Sequence, residues 1–233
     1  MAAFVRRWIC WVSVGELAGF CVPTATATLL VDQPPLALLG ALVVAGAAEG
    51  TVLGWTQTRV LRTALPAVSG RRWVALTAAG AALAWFCGML APTTYGTWSH
   101  WPAPVQIALS AAVAGVLLTS IGTAQWLELR RHVPHARRWI GTSALAWALG
   151  LGVFSAVATP LWQPGQSQPL IIAIGLLGGL AMATTMAVTT GLVLRRLLVM
   201  SDASGQTVVH GLREAGFHRT GRVAARARLH ELR

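Results

Sequence analysis

The chain has 233 residues, of which 55% are hydrophobic and 11% charged, with a mean hydropathy of +0.61. Soluble domains carry about 25% charged residues, so this composition excludes an ordinary water-soluble globular protein. All 18 basic residues are arginine and the formal net charge is +11. Exclusive use of arginine with abundant Ala and Gly is typical of a GC-rich bacterial genome, so we expect a bacterial source.

An internal repeat organises the chain. Arg-Arg-Trp occurs at 6–8, 71–73 and 137–139, with copies 65 and 66 residues apart, and each copy opens an apolar stretch. A second apolar stretch follows each copy and ends in Leu-Arg, at 61–62, 129–130 and 194–195. Such a fixed period is typical of repeated architectures. The sequence therefore predicts an all-α integral membrane protein in which three like-oriented helix pairs (about 6–62, 71–130 and 137–196) surround a pseudo-threefold axis along the membrane normal.

Six apolar stretches are long enough to cross about 30 Å of hydrocarbon, which takes about 20 residues. They cover roughly 8–30, 37–60, 73–91, 105–128, 139–159 and 170–195. The connections after the first, third and fifth stretches contain no arginine, whereas all 18 arginines fall on the other side. The positive-inside bias therefore predicts a bacterial inner (plasma) membrane protein with both termini in the cytoplasm.

The first stretch also has features of a cleaved signal peptide. Arg6 and Arg7 precede an apolar run, and Ala25-Thr26-Ala27 resembles a cleavage site. However, Glu16 interrupts the run, and the same Arg-Arg-Trp opens two internal helices that cannot be cleaved signals. We therefore expect the first span to be retained.

Aromatic residues near the ends of the stretches favour interfacial anchoring, because amphipathic rings prefer the headgroup level. The cytoplasmic set is Trp8, Trp55, Trp73, Trp126 and Trp139, and the opposite set is Tyr95, Trp98, Trp101 and Trp162. The cysteines Cys10, Cys21 and Cys87 lie in apolar stretches without metal-ligand spacing, so we expect buried free thiols. At the cytoplasmic boundary, Glu128 is expected to form a solvated pair with Arg131 on the helix surface.

Small residues four apart occur at matching positions of the odd-numbered helices. Small side chains at this spacing let helix backbones approach closely, the main packing device where water cannot drive association. The pairs are Gly15 and Gly19, Gly80 and Ala84, and Ala146 and Gly150.

A polar residue also stands four positions before each repeated Leu: Gln57, Gln125 and Thr190. The repeat places these three side chains in one layer near the cytoplasmic face. Parallel repeats can hold a substrate path at their common interface. Alternatively, the layer joins neighbouring helices by hydrogen bonds.

The segments Glu49-Gly50-x3-Gly54-x2-Gln57-x3-Leu61-Arg62 and Gly122-x2-Gln125-Trp126-x2-Leu129-Arg130 support a resemblance. They resemble repeated motifs in a loose group of uncharacterised bacterial multi-pass membrane proteins, over about residues 1–198. In that group Gly-x-x-Gln-Trp-x-x-Leu-Arg precedes a short loop and a new Arg-Trp helix. Here Thr58 replaces the motif's Trp in the first copy and Thr190 its Gln in the third. The resemblance implies the architecture and no particular activity.

Two acids break the repeat. Glu16 lies nine residues after Arg7 and Glu49 thirteen before Arg62, which places both near the middle of the hydrocarbon, at about 14 and 20 Å of helix. An intramembrane carboxylate costs about 3 kcal/mol or more and usually marks an ion or proton route. One hypothesis is a protonatable pair that binds a cation or relays protons. The other is that each acid stays protonated and hydrogen-bonds to a neighbouring helix.

The tail, residues 199–233, is expected to be basic, cytoplasmic and partly amphipathic helix. Its arginines would contact anionic lipid headgroups, and no nucleic-acid reader motif is present. We find no catalytic arrangement and expect no enzyme, cofactor or metal site. The sequence favours a non-enzymatic membrane scaffold or sensor with a membrane-protein partner. The alternative is a small permease or channel moving protons or cations along a path that includes Glu16 and Glu49.

Overall fold

The computed structural model describes residues 2–231, with side chains for residues 2–200. The prediction of an all-helical chain with six apolar helices is confirmed, because all six are long and apolar enough to cross a membrane. The helices are α1 (Ala2–Leu29), α2 (Pro35–Ala64), α3 (Gly70–Trp98), α4 (Ala103–Leu129), α5 (Arg138–Leu161) and α6 (Gln168–Glu231).

Proline and serine mark where several helices begin. Pro35 occupies the first turn of α2, where its missing N–H costs nothing, and Pro102 precedes α4. Ser69 caps α3, since its hydroxyl accepts a hydrogen bond from the Arg72 N–H at 3.4 Å. We expected the third span to end before Pro92, but α3 continues to Trp98, with the Thr94 hydroxyl donating to the Leu90 carbonyl.

Helix α6 extends beyond the membrane-spanning length. Its apolar part is Gln168–Met200, and the backbone helix continues to Glu231. The predicted contact of the tail arginines with lipid headgroups concerns side chains after Met200, which lie outside the described residues.

The six helices form a closed ring. Each helix packs against its neighbours in the chain, and α6 packs against α1. Close backbone approach is clearest between α3 and α4: a Cβ atom at Gly80 would lie 2.8 Å from the Ile121 Cα atom, closer than real contacts allow. A glycine at this position is therefore needed for the observed helix separation.

The core is concentrated at the arginine-rich ends of the helices. Here the three repeated tryptophans and the three leucines of the Leu-Arg pairs belong to one cluster and are at most 1% exposed: Trp8, Trp73, Trp139, Leu61, Leu129 and Leu194. The expectation of lipid-interface anchors is therefore wrong for Trp8, Trp73 and Trp139, which lie inside the bundle. Trp55, by contrast, is exposed on its outer surface.

The opposite, arginine-free half is loosely packed. The first buried residue of α4 is Ser120, more than half way along the helix, and α3 has no buried residue after Cys87. Each odd-numbered helix contains a proline in this half, namely Pro23, Pro92 or Pro160, which removes a backbone hydrogen bond.

The three cysteines show that an apolar stretch of sequence does not predict whether a given side chain is buried in the bundle. Cys87 is buried, as expected, but Cys10 and Cys21 are exposed on the outer surface. The expectation is wrong for these two because the outer face of a membrane helix is as apolar as its core.

Candidate functional site

Three tryptophan hydrogen bonds connect the helices at the arginine-rich end. The indole Nε1 of Trp73 donates to Gln57 Oε1 at 2.9 Å, and that of Trp139 donates to Gln125 Oε1 at 2.9 Å. The indole of Trp8 donates to Thr190 Oγ1 at 3.0 Å. Each bond joins an odd-numbered helix to the even-numbered helix before it around the ring, with α1 following α6. We call the six residues of these bonds the tryptophan ring: Trp8, Trp73, Trp139, Gln57, Gln125 and Thr190.

The polar residues of the tryptophan ring are buried and are further connected. Gln125 Nε2 donates to Gln57 Oε1 at 2.8 Å and to Thr77 Oγ1 at 3.0 Å. Thr190 instead donates to the Met186 carbonyl at 2.7 Å. Gln57, Gln125 and Thr190 also line one cavity of about 20 Å³, large enough for a single water molecule. The predicted polar residues thus surround a common space, and two of them are in direct contact.

The two acids meet between α1 and α2. Glu16 is fully buried and Glu49 is 3% exposed. The helices approach closely here because a Cβ atom at Gly19 would lie only 3.0 Å from the Glu49 carbonyl oxygen. Two ionised carboxylates buried at one helix contact would be costly, so the site favours a proton on at least one of them.

The partners of the two acids differ. Glu49 Oε2 accepts a hydrogen bond of 2.6 Å from the indole Nε1 of Trp85 on α3. Neither carboxyl oxygen of Glu16 has a hydrogen-bond donor among the described residues. Burying an ionised carboxylate without a donor is costly, so the surroundings of Glu16 favour its protonated form.

A cavity of about 240 Å³, which we call the inner cavity, adjoins Glu49. Its walls are apolar and include the aromatic rings of Phe20, Trp85 and Trp147. A larger space of about 650 Å³, the outer vestibule, lies among the arginine-free ends of α1, α5 and α6. Phe20 and Trp85 line both spaces, so the inner cavity and the outer vestibule adjoin at these two rings.

No basic side chain lines either space in the part of the chain with described side chains. Any charge on the acid pair is therefore not balanced by a nearby arginine. A desolvated carboxyl pair of this kind can exchange a proton or bind a cation that enters the inner cavity.

The predicted packing residues lie at contacts between helices, with the exception of Ala84. Cβ atoms built on the glycines would contact Thr56 from Gly15, Glu49 from Gly19, Ile121 from Gly80 and Met186 from Gly150. Ala146 is fully buried, whereas Ala84 is only partly buried and lines the inner cavity.

Sequence reasoning missed Trp85 and Thr77. Trp85 is one of eleven tryptophans and stands in an apolar helix, so no local pattern marks it as the donor to Glu49. Thr77 lies one turn after Trp73, and its hydroxyl donates to the Trp73 carbonyl at 2.8 Å while accepting from Gln125. The repeated Arg-Arg-Trp marks the position of Trp73, but nothing in the repeat indicates that Thr77 lies beside it and accepts from Gln125.

Glu128 differs from its expected role. It is 2% exposed and forms an ion pair with Arg72 at 3.2 Å, instead of a solvated pair with Arg131. Its Oε1 also accepts from the Ser69 N–H at 2.9 Å and lies 3.2 Å from His132 Nε2. These contacts tie the end of α4 to the start of α3, so the role of Glu128 is structural.

No protein-family model, curated protein or solved structure compared with this chain matches it.

Proposed function

We propose that the chain is a small permease that moves protons or cations along a path including Glu16 and Glu49. The observation that carries the proposal is the buried acid pair beside the inner cavity, without a neighbouring base in the described residues. Carboxyl groups at this depth are costly and usually mark an ion or proton path.

The proposal includes an orientation and a symmetry. We place the chain in a bacterial inner membrane with the arginine-rich side in the cytoplasm, in accord with the positive-inside bias. We also propose that the three helix pairs surround a pseudo-threefold axis. The three tryptophan bonds support this arrangement, because each one joins corresponding positions of neighbouring repeats.

The mechanism proceeds from the arginine-free side. A substrate cation enters the outer vestibule, passes Phe20 and Trp85, and reaches Glu49 in the inner cavity. Binding of the cation at Glu49 releases a proton from the acid pair, which leaves through the outer vestibule. The tryptophan ring closes the route to the arginine-rich side in this conformation, so release into the cytoplasm requires its hydrogen bonds to open.

The walls of the inner cavity favour an organic cation. A strongly hydrated metal ion would lose its water against apolar walls and a few carboxyl oxygens, which is costly. An organic cation brings its own apolar surface and is attracted to aromatic faces. Phe20, Trp85 and Trp147 supply such faces around Glu49.

A non-enzymatic scaffold or sensor is the second candidate function. It is favoured by the packed tryptophan ring, whose side chains leave only a space of about 20 Å³ between them. In that case Glu16 and Glu49 hold α1 and α2 together, and the loosely packed half provides the surface for a membrane-protein partner.

Flux measurements in proteoliposomes test the proposal. The full chain is reconstituted with a trapped pH dye, and proton flux and uptake of the lipophilic cation tetraphenylphosphonium are followed across an imposed pH gradient. We expect flux above protein-free liposomes for the parent, and none for the double variant Glu16→Gln/Glu49→Gln. Asp32→Asn is the control, because Asp32 is exposed in a connection and lines neither the inner cavity nor the outer vestibule.

Two outcomes contradict the permease. One is a parent without flux of either kind, and the other is a double variant that conducts like the parent. Gel-filtration elution and tryptophan fluorescence must match the parent in every variant, so that a loss of flux is not a loss of folding. Absence of flux in a well-folded parent supports the scaffold or sensor.

A further inference from the structure

A groove rich in arginine lies between the end of α2 and the start of α3, on the outer surface of the bundle. It has a volume of about 660 Å³, and Arg59, Arg62 and Arg71 line it together with Trp55 and Val74. The Arg59 guanidinium lies over the Trp55 ring, 4.5 Å from its centre. All three arginines are exposed. We call this the first basic groove.

A second groove of the same kind lies between α5 and α6. Its volume is about 490 Å³, and it is lined by Arg138, Arg195 and Arg196 with the apolar side chains of Val193 and Leu197. It also lies at the arginine-rich end of the bundle. We call it the second basic groove, and the two grooves resemble each other in charge, in size and in their partly apolar walls.

The charges in both grooves have no acidic partner within the described side chains. Among residues 2–200, the arginine-rich side carries twelve arginines and one acid, Glu128, which pairs with Arg72 and not with a groove arginine. The six groove arginines therefore carry positive charge that no described acidic side chain balances. In the first groove, the exposed Trp55 fits the headgroup level of a bilayer.

We propose that each basic groove binds the phosphate of an anionic phospholipid headgroup. The arginines bind the phosphate, and Trp55 and Val74 in the first groove, or Val193 and Leu197 in the second, contact the start of the acyl chains. Basic pockets between membrane helices bind anionic headgroups by this combination. The proposal does not depend on transport, and it places defined lipid sites on the helical bundle itself and not on the tail.

Native mass spectrometry of the full chain from a neutral detergent tests the proposal, with dioleoyl phosphatidylglycerol and dioleoyl phosphatidylcholine as probes. The variants are Arg59→Gln/Arg62→Gln/Arg71→Gln for the first groove and Arg138→Gln/Arg195→Gln/Arg196→Gln for the second. We expect each to lose one bound phosphatidylglycerol relative to the parent. The matched control Arg130→Gln/Arg131→Gln/Arg137→Gln removes equal charge outside the grooves and should lose none.

Three outcomes overturn the proposal. Equal loss in the control means that overall charge, and not groove geometry, retains the lipid. Retention of every lipid in both groove variants means that the grooves are not the sites. Full displacement of phosphatidylglycerol by inorganic phosphate means that a soluble anion suffices. If a glutamine variant does not fold, the Lys triple at the same three positions keeps the charge, and it should keep the lipid.

Discussion

The two halves of the bundle are formed by the same six apolar helices but pack very differently. At the arginine-rich end, tryptophan, leucine and glutamine side chains from all six helices form one closed core. In the arginine-free half, the helices surround the inner cavity and the outer vestibule, and most residues of the first half of α4, 103–116, are exposed. Between helices in lipid, apolar residues alone give no preference for packing. The difference shows that specific polar pairs and close backbone contacts make the core tight.

The largest expected effect of a substitution is at the centre of the tight half. Trp139→Ala removes a fully buried ring that contacts Trp8 and Trp73 and donates to Gln125. We expect the free energy of unfolding, measured by SDS titration in mild detergent, to fall by about 3 kcal/mol or more. Trp101→Ala is the control, because Trp101 is exposed near the arginine-free end. A similar loss in both variants would contradict the difference between the halves.

A smaller effect is expected where two backbones touch. Gly80→Ala introduces a Cβ atom 2.8 Å from the Ile121 Cα atom, so α3 and α4 must separate. The expected loss is about 1–3 kcal/mol in the same unfolding assay. At Gly115 a Cβ atom meets nothing within 4 Å, so Gly115→Ala should leave stability unchanged or raise it by up to about 1 kcal/mol. Gly80→Ala with parent stability would show that this contact is not required.

An effect within the same range is expected for one of two glutamines on α4. Gln125→Leu breaks the hydrogen bonds of Gln125 with Gln57, Thr77 and Trp139. Hydrogen bonds between membrane helices average about 0.6 kcal/mol, so we expect a loss of about 2 kcal/mol. Gln106→Leu, in the loose half, removes only bonds to the Ser99 and Trp101 carbonyls and should cost less. Equal costs would mean that the polar layer adds little to the tight half.

Position along the axis of the helical bundle was largely predictable from the sequence. Counting residues from each Arg-Arg-Trp and Leu-Arg gives the depth of a side chain, because a helix rises by a constant 1.5 Å per residue. All six helices were found in this way, and so was the common layer of Gln57 and Gln125. The repeat symmetry, the topology and the activity remain proposals.

Which face of each helix points into the bundle could not be predicted in the same way. In a soluble helix, polar residues mark the outer face, but a membrane helix is apolar on both faces, so the pattern does not separate them. The repeated tryptophans were therefore assigned to the lipid interface, and Cys10 and Cys21 to the interior. The partner of Glu49 could not be found either, because the choice of Trp85 depends on how α2 and α3 pack together.

The hydrogen bond between Trp8 and Thr190 has a consequence for biogenesis. Its two residues are 182 positions apart, whereas the next longest bond of the tryptophan ring, between Gln125 and Gln57, spans 68 positions. Helix α6 must therefore be synthesised before it can pack against α1 and complete the ring of helices. Until then the ring of helices is open, and the faces of α1 and α6 that pack together in the complete bundle have no partner. A nascent chain truncated before Thr190 lacks the hydrogen-bond acceptor of Trp8.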